Sequence, residues 1–216
     1  MKQGIDYIGS RQKRLLDVAV GSAMLVPASI AQTALIASYG FRDTRLMSQE
    51  RSRPDGALFD LYKLRTLEES ESSEVTPINS LAKMMRPNGF DELPQAFNIL
   101  NGSMSAVGPR PIIAAERDQV REQVPAELLS EHDEIVGRAK PGVFNTFGWM
   151  AHMNVIPEED RAIARIKLDL MDAREGSLKY DVRLISKIAQ SVLKHELTNG
   201  SIRPLTVQEV LRDGSV

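Results

Sequence analysis

A chain of 216 residues that is 42% hydrophobic and 26% charged can bury one medium-sized core and still carry an extra segment. With 27 basic and 29 acidic residues the formal net charge is -2, which gives no reason to expect nucleic-acid binding. Cysteine is absent, which excludes disulfides, thiolate metal sites and a cysteine nucleophile and fits a cytoplasmic setting.

In chain order, the first feature is Val18 to Phe41, a stretch with no charged residue. It is long enough to span a bilayer as one helix. Pro27 near its middle removes a backbone hydrogen bond and bends a helix. Basic residues flank it on both sides, Arg11, Lys13 and Arg14 before and Arg42 and Arg45 after, whereas a spanning helix concentrates them on one side. That pattern predicts a re-entrant hairpin broken at Pro27, with Ser29 as a partner for freed carbonyls. A spanning helix, a buried core helix and a signal peptide are the alternatives; a signal peptide belongs to a secreted binding protein cleaved near residue 40, although no Ala-x-Ala site closes the run cleanly.

Arg53-Pro54-Asp55-Gly56 reads as a turn. Leu58 to Arg65 partly alternates and reads as a strand that sets Lys63 and Arg65 on one face, a solvated face in the plain reading. Glu68 to Glu74 is acidic and serine-rich and reads as a surface loop. Leu81 to Arg86 reads as a short helix stopped by Pro87, with Arg86 a cation at its C-terminus.

Residues 91–111 carry the most chemistry. Asn88-Gly89 marks a turn, after which Asp91 is expected to N-cap a helix, with Glu92 and Pro94 in its first turn. Leu93, Ala96, Phe97 and Leu100 form its apolar stripe, and Asn101-Gly102 ends it. Gly108-Pro109-Arg110-Pro111 then holds one arginine in a rigid turn. Two readings stand: Asp91 caps and Glu92 complements the helix dipole, or Asp91 is a nucleophile and Glu92 a ligand for a hard cation such as Mg²⁺. A nucleophile or metal ligand followed by a fixed cation suits chemistry on a phosphate.

Residues 112–136 are polar and predict exposed helices broken by Pro125, and Lys140-Pro141-Gly142 predicts a turn. Pro157 starts a helix that runs to about Arg174 and ends near Gly176. Ser177 to Leu197 predicts an amphipathic helix with the stripe Val182, Ile185, Ile188, Ala189 and Val192. Its basic side (Lys179, Arg183, Lys187, Lys194) suits either solvent, with the stripe packed on the core, or an anionic membrane surface. His132, His152 and His195 are too scattered for a metal motif.

Several of these segments resemble the bacterial polyprenyl-phosphate phosphoglycosyl transferases, the initiating sugar transferases. The similar motifs are Lys13-Arg14-x-x-Asp17, Tyr62-Lys63-Leu64-Arg65-Thr66, Asp91-Glu92-Leu93-Pro94-Gln95, Asn98-x-Leu100-x-Gly102-x-Met104-Ser105, Val107-Gly108-Pro109-Arg110-Pro111 and Ser177-Leu178-x-x-Asp181. The resemblance implies an α+β, mostly helical chain with a membrane-embedded re-entrant segment over 1–45 and a cytoplasmic catalytic domain over 46–216. That domain would have short strands and amphipathic interfacial helices. It implies a monotopic enzyme of the bacterial inner membrane that moves a sugar-1-phosphate from a nucleotide-sugar donor, usually UDP-linked, to polyprenyl phosphate. That step initiates exopolysaccharide or glycoconjugate synthesis. Asp91 would be the nucleophile, Glu92 the Mg²⁺ ligand, and Lys63, Arg65, Arg86 and Arg110 the phosphate-facing cations. Membrane lipid would be a partner, and homo-oligomer formation is left open. The chain departs from the pattern at Val26 for serine, Arg53 for glycine, Ser80 for arginine, Phe144-Asn145 for Thr-Gly and Gly148 for glutamine. The loop departures touch substrate identity more than reaction type, and they motivate the rival reading of an inactive membrane-associated scaffold.

Overall fold

A computed structural model describes residues 2–39, 46–69, 75–86 and 89–198. The architecture is α+β and mostly helical, with strands that pair in twos. Two N-terminal helices, α1 (Lys2–Ile8) and α2 (Arg11–Tyr39), precede the hairpin β1 (Leu46–Ser52) and β2 (Leu58–Leu64), paired from Leu46↔Leu64 to Ser52↔Leu58. A second antiparallel pair, β3 (Leu67–Glu69) and β4 (Val75–Pro77), leads into α3 (Ser80–Met85). Then come α4 (Gln95–Asn101), β5 (Ser105–Val107), α5 (Ala114–Glu122), α6 (Ala126–Ile135), β6 (Gly142–Phe144), α7 (Thr146–His152), α8 (Arg161–Glu175) and α9 (Leu178–Thr198).

β5 and β6 run parallel, with Ser105 opposite Gly142 and Val107 opposite Phe144. The turn expected at Lys140-Pro141-Gly142 is therefore the start of a strand. The strands cross so closely that only glycine fits: a Cβ on Gly142 would lie 2.0 Å from the Gly108 nitrogen, and one on Gly108 2.2 Å from the Lys140 carbonyl oxygen.

α2 runs as one helix from Arg11 to Tyr39, and Pro27 lies inside it without ending it, so the break expected at Pro27 is not seen. Arg42 and Arg45, the second half of the bilateral flank, lie outside the described residues. Pro27 removes the amide that would meet the Ala23 carbonyl. The Ser29 hydroxyl donates instead to the Leu25 carbonyl at 2.9 Å, and Thr33 donates to Ser29 at 2.8 Å. By length and composition, Arg11–Ser38 could cross a membrane, yet only 22% of its most apolar window is buried. Met24 packs with Leu61, Ala96, Ile99 and Met104, and Leu35 packs with Leu64, Ala82 and Met85. The other side of the helix is apolar and open, with Leu15 71%, Val26 65% and Ile30 65% exposed.

Two motifs far apart in the chain close the base of the fold. Lys13 Nζ lies 3.2 Å from Asp17 and 2.8 Å from Asp181, all three buried. Asp17 also accepts from the Ser105 hydroxyl and the Ala106 amide, and Asp181 accepts from the Tyr7 hydroxyl. Arg14 donates to the Ile99 and Leu100 carbonyls, both at 2.7 Å, placing a cation on the electronegative end of α4.

The remaining core lies between α8 and its neighbours. One cluster joins Val107, Phe147, Leu168 and Leu184; a second joins Val124, Val136, Ile166 and Leu170. On α9 the buried side runs through Tyr180, Asp181 and Leu184, and Val182, expected in the buried stripe, is 50% exposed. Ile185 and Ile188 of the same stripe pack against the first cluster.

Candidate functional site

The residues expected to cap a helix do something else. Gly89 adopts φ 67°, a conformation that suits glycine, and starts a single tight turn over Phe90–Glu92. α4 begins after it, with Pro94 at its N-cap and no side-chain cap bond. Asp91 is therefore not the N-cap of α4, and its carboxylate is left to face other groups. The side of α4 that is buried carries Gln95, Ala96, Asn98 and Ile99, whereas Phe97, expected in the stripe, is 46% exposed. Asn98 explains the rotation. It is buried between α4 and β2, accepts from the Tyr62 amide at 3.0 Å and donates to the Asp60 carbonyl at 2.6 Å.

That bond pins β2, and β2 delivers Lys63. Its ammonium lies 3.2 Å from Glu92 Oε1, and Arg110 Nη2 approaches the same oxygen at 4.0 Å. Asp91 faces a different cation, with Arg86 Nη1 3.8 Å from Oδ2, and Arg86 also donates to Thr66. Neighbouring carboxylates thus acquire different character. Burial and the adjacent Glu92 push the Asp91 pKa up, against Lys63 and Arg86. Burial also raises that of Glu92, but Lys63, Arg110 and the Gln95 side chain outweigh it and hold the group below its usual range.

Arg110 is placed from behind. The Gly142 amide donates to the Pro109 carbonyl at 2.9 Å, and the Gly108 amide to Phe144 at 3.2 Å. Arg165, stacked 5.4 Å over the Phe147 ring, donates to the Arg110 carbonyl. A Cβ at Gly148 would come within 2.9 Å of Arg110 Nη1, so the absent side chain leaves the guanidinium its place.

Of the residues singled out in the sequence, Asp91, Glu92, Lys63, Arg86 and Arg110 come together. Arg65 stands one residue beyond the end of β2 and is exposed. Pro27 belongs to α2. Arg51 was not singled out, and it shares a recess with Lys63, Glu92, Gln95 and Arg110. Its signal in the sequence is weak, an arginine in a polar strand.

No group of three or more acidic, histidine or cysteine side chains that could cage a metal occurs among the described residues. The donor set still fits Mg²⁺, which commonly binds through one or two carboxylates and completes its shell with water and substrate phosphate. Glu92, held ionised by its cations, is the carboxylate suited to that ligation.

Comparison with known proteins adds to this geometry. The family described as bacterial sugar transferase matches residues 8–195. A UDP-glucose:undecaprenyl-phosphate glucose-1-phosphate transferase of Klebsiella pneumoniae is 27% identical over 188 residues, 80% of this chain and 38% of that protein. A transferase of the same name from Caulobacter vibrioides is 27% identical over 194 residues, covering 84% of this chain and 70% of the relative. An undecaprenyl-phosphate galactose phosphotransferase of Salmonella typhimurium is 28% identical over 162 residues, 75% of this chain and 31% of that protein. The chain thus spans well under half the length of the Klebsiella and Salmonella relatives.

Proposed function

The chain belongs to the bacterial sugar transferase family, and from that membership we propose that it transfers a sugar-1-phosphate from a nucleotide-diphosphate sugar, UDP-linked as in the names of the Klebsiella and Caulobacter relatives, to polyprenyl phosphate. The observation that carries the reading is the pair of adjacent carboxylates with separate cations, Asp91 with Arg86 and Glu92 with Lys63 and Arg110. Asp91 is freed from capping and partly desolvated, which suits a nucleophile.

In the first step an Asp91 carboxylate oxygen attacks the phosphorus that bears the sugar. The bond from that phosphorus to the bridging oxygen breaks, and its electron pair leaves with the nucleoside monophosphate. A phosphosugar-aspartyl intermediate remains. In the second step a polyprenyl phosphate oxygen attacks the same phosphorus, the Asp91–phosphorus bond breaks, and the carboxylate is regenerated. Lys63, Arg86 and Arg110 stabilise charge on the two phosphate groups of the donor, where most catalytic benefit lies in phosphoryl transfer. Mg²⁺, when bound by Glu92 and substrate oxygens, supplies neutralisation of the diphosphate charge.

The open apolar side of α2 is the lipid-facing surface in this reading. Residues 1–45 seat the protein monotopically in the inner membrane, and the rest of the chain presents the dyad to the lipid phosphate from the cytoplasmic side. Single cysteines placed before Arg11 and after Leu46 test that arrangement: both label from the cytoplasmic face of a monotopic protein, and only one does if α2 spans.

The reaction is tested with detergent-solubilised protein, Mg²⁺, undecaprenyl phosphate and a panel of UDP-sugars. Lipid-dependent release of uridine monophosphate that is lost in Asp91→Asn supports the mechanism. Release undiminished in that variant removes Asp91 from the nucleophile's role, and no release with any donor from folded protein favours the scaffold reading.

A further inference from the structure

We propose that Arg51 and Arg110 form a two-guanidinium clamp for the phosphate that departs with the nucleoside, distinct from the cations facing the phosphoryl group that is transferred. This rests on the reaction proposed above and assigns a part of it to a residue that the motifs do not single out.

Arg51 lies on β1 opposite Phe59 of β2, which brings its side chain into the recess bordered by Lys63, Glu92, Gln95 and Arg110. One arm is committed: Nη2 donates to Gln49 Oε1 at 2.7 Å. Its Nε is buried and has no hydrogen-bond partner, the kind of orphan that a ligand oxygen satisfies. Burial weakens the hold of Arg51 on its proton, Arg110 weakens it further, and Glu116 and Glu92 oppose them. Arg165 crowds the same region from behind, and Arg110 and Arg51 both act on it.

Three carboxylates stand nearby. Glu116 is the charge that acts most strongly on Arg51, Asp169 faces Arg165 at 3.9 Å, and Glu92 sits closer to Lys63 than to Arg110. Against them stand the guanidinium groups of Arg51, Arg110 and Arg165 and the ammonium of Lys63, which leaves the region with one positive charge in excess, and the Arg110 side chain is 41% exposed. Planar guanidinium groups with several donors match a phosphate dianion.

The placement separates this pair from the nucleophile. Lys63 and Arg86 are the cations that act on Asp91, whereas Arg110 approaches Glu92, and Arg51 lies in the recess beside it. In an in-line displacement the leaving oxygen departs from the side opposite the attacking one. A cation pair beyond Glu92 suits that leaving side.

A double-displacement reaction lets the two halves be measured apart. In Arg51→Met, kcat/KM for the UDP-sugar should fall on the order of 10- to 100-fold. Product inhibition by uridine monophosphate should weaken by a similar factor, and kcat/KM for undecaprenyl phosphate should stay unchanged. A parallel fall for the lipid, or unaltered inhibition by uridine monophosphate, overturns the clamp while leaving the proposed reaction standing. Where wild type shows no turnover, direct titration with uridine monophosphate decides: weaker binding in Arg51→Met supports the clamp, and equal binding or none by wild type overturns it. If Arg51→Met does not unfold cooperatively, Arg51→Lys takes its place, with an intermediate loss expected because one charge replaces a fork of donors.

Discussion

Lys63 and Glu92 form an ion pair at 3.2 Å, each partly buried, in the floor of the recess that also holds Arg110. A divalent cation held by Glu92 would compete with that lysine for the one carboxylate. Lys63→Met is therefore expected to reduce the Mg²⁺ needed for half-maximal activity, by about tenfold for loss of a nearby cation. Its kcat should fall on the order of 100-fold because one phosphate-stabilising charge is missing. A Mg²⁺ titration of nucleotide release measures both. A variant that needs more Mg²⁺ contradicts the competition.

Arg86 acts on the other carboxylate, at 3.8 Å. Burial holds Asp91 above its ordinary range, and Arg86 and Lys63 restrain that rise. A nucleophilic carboxylate must be ionised, so activity should fall as pH drops through the Asp91 pKa. The acid limb of kcat/KM for the donor is expected above the ordinary carboxylate range. Arg86→Gln removes a restraint, so the limb should move to higher pH. A pH–rate profile that stays in place in Arg86→Gln separates the limb from Asp91.

Lys13 lies between two carboxylates, 3.2 Å from Asp17 and 2.8 Å from Asp181, and all three are buried. Removing the shared cation leaves buried negative charge uncompensated. Lys13→Met is expected to cost about 3–5 kcal/mol. Adding Asp181→Asn to it removes one of the stranded charges, so the double variant should be more stable than Lys13→Met alone. Thermal unfolding in detergent checks the order. A double variant less stable than Lys13→Met shows that Asp181 stabilises by a route other than the lysine, such as its bond from Tyr7.

The dyad was legible because its residues are consecutive, and a two-residue carboxylate signal survives any error in the placement of helix ends. Its local geometry was not legible. Asp before Glu-Leu-Pro has the composition of an N-cap, yet Gly89 in a left-handed conformation and a tight turn over Phe90–Glu92 intervene before α4 begins. The apolar segment was legible from the run of uncharged residues, but its continuation as one helix through Pro27 was not, and neither was its packing, because the pairing of Leu35 with Leu64 and Met85 is tertiary. The meeting of Lys13 and Asp17 with Asp181 likewise joins two short motifs that no local rule connects. β1 was hidden by its polar sequence, and Arg51 with it. β5 and β6 were hidden by their three-residue length, too short for any alternation to register.

Asp172 offers a test that is independent of the reaction. It is buried, accepts from the Thr146 hydroxyl at 2.6 Å, the Thr146 amide at 3.0 Å and the Tyr180 hydroxyl at 2.6 Å, and so ties α7 and α9 to α8. Burial outweighs those donors and raises its pKa to about 6. An acid whose pKa is higher folded than unfolded takes up its proton first in the folded state, so between about pH 4 and pH 6 the folded protein binds more protons than the unfolded chain. The contribution of Asp172 to stability therefore rises as pH falls from 7 toward 4, by roughly 3 kcal/mol over the full interval. Other carboxylates add their own slopes, Glu92 in the opposite direction, so the comparison is with Asp172→Asn rather than with an absolute curve. Asparagine loses one acceptor and gains an amide, which shifts stability by a constant at every pH. The difference in Tm between wild type and Asp172→Asn should then favour wild type progressively more from pH 8 to pH 4.5. A difference that stays constant over that range means that Asp172 titrates alike in both states, its three donors compensating fully for burial.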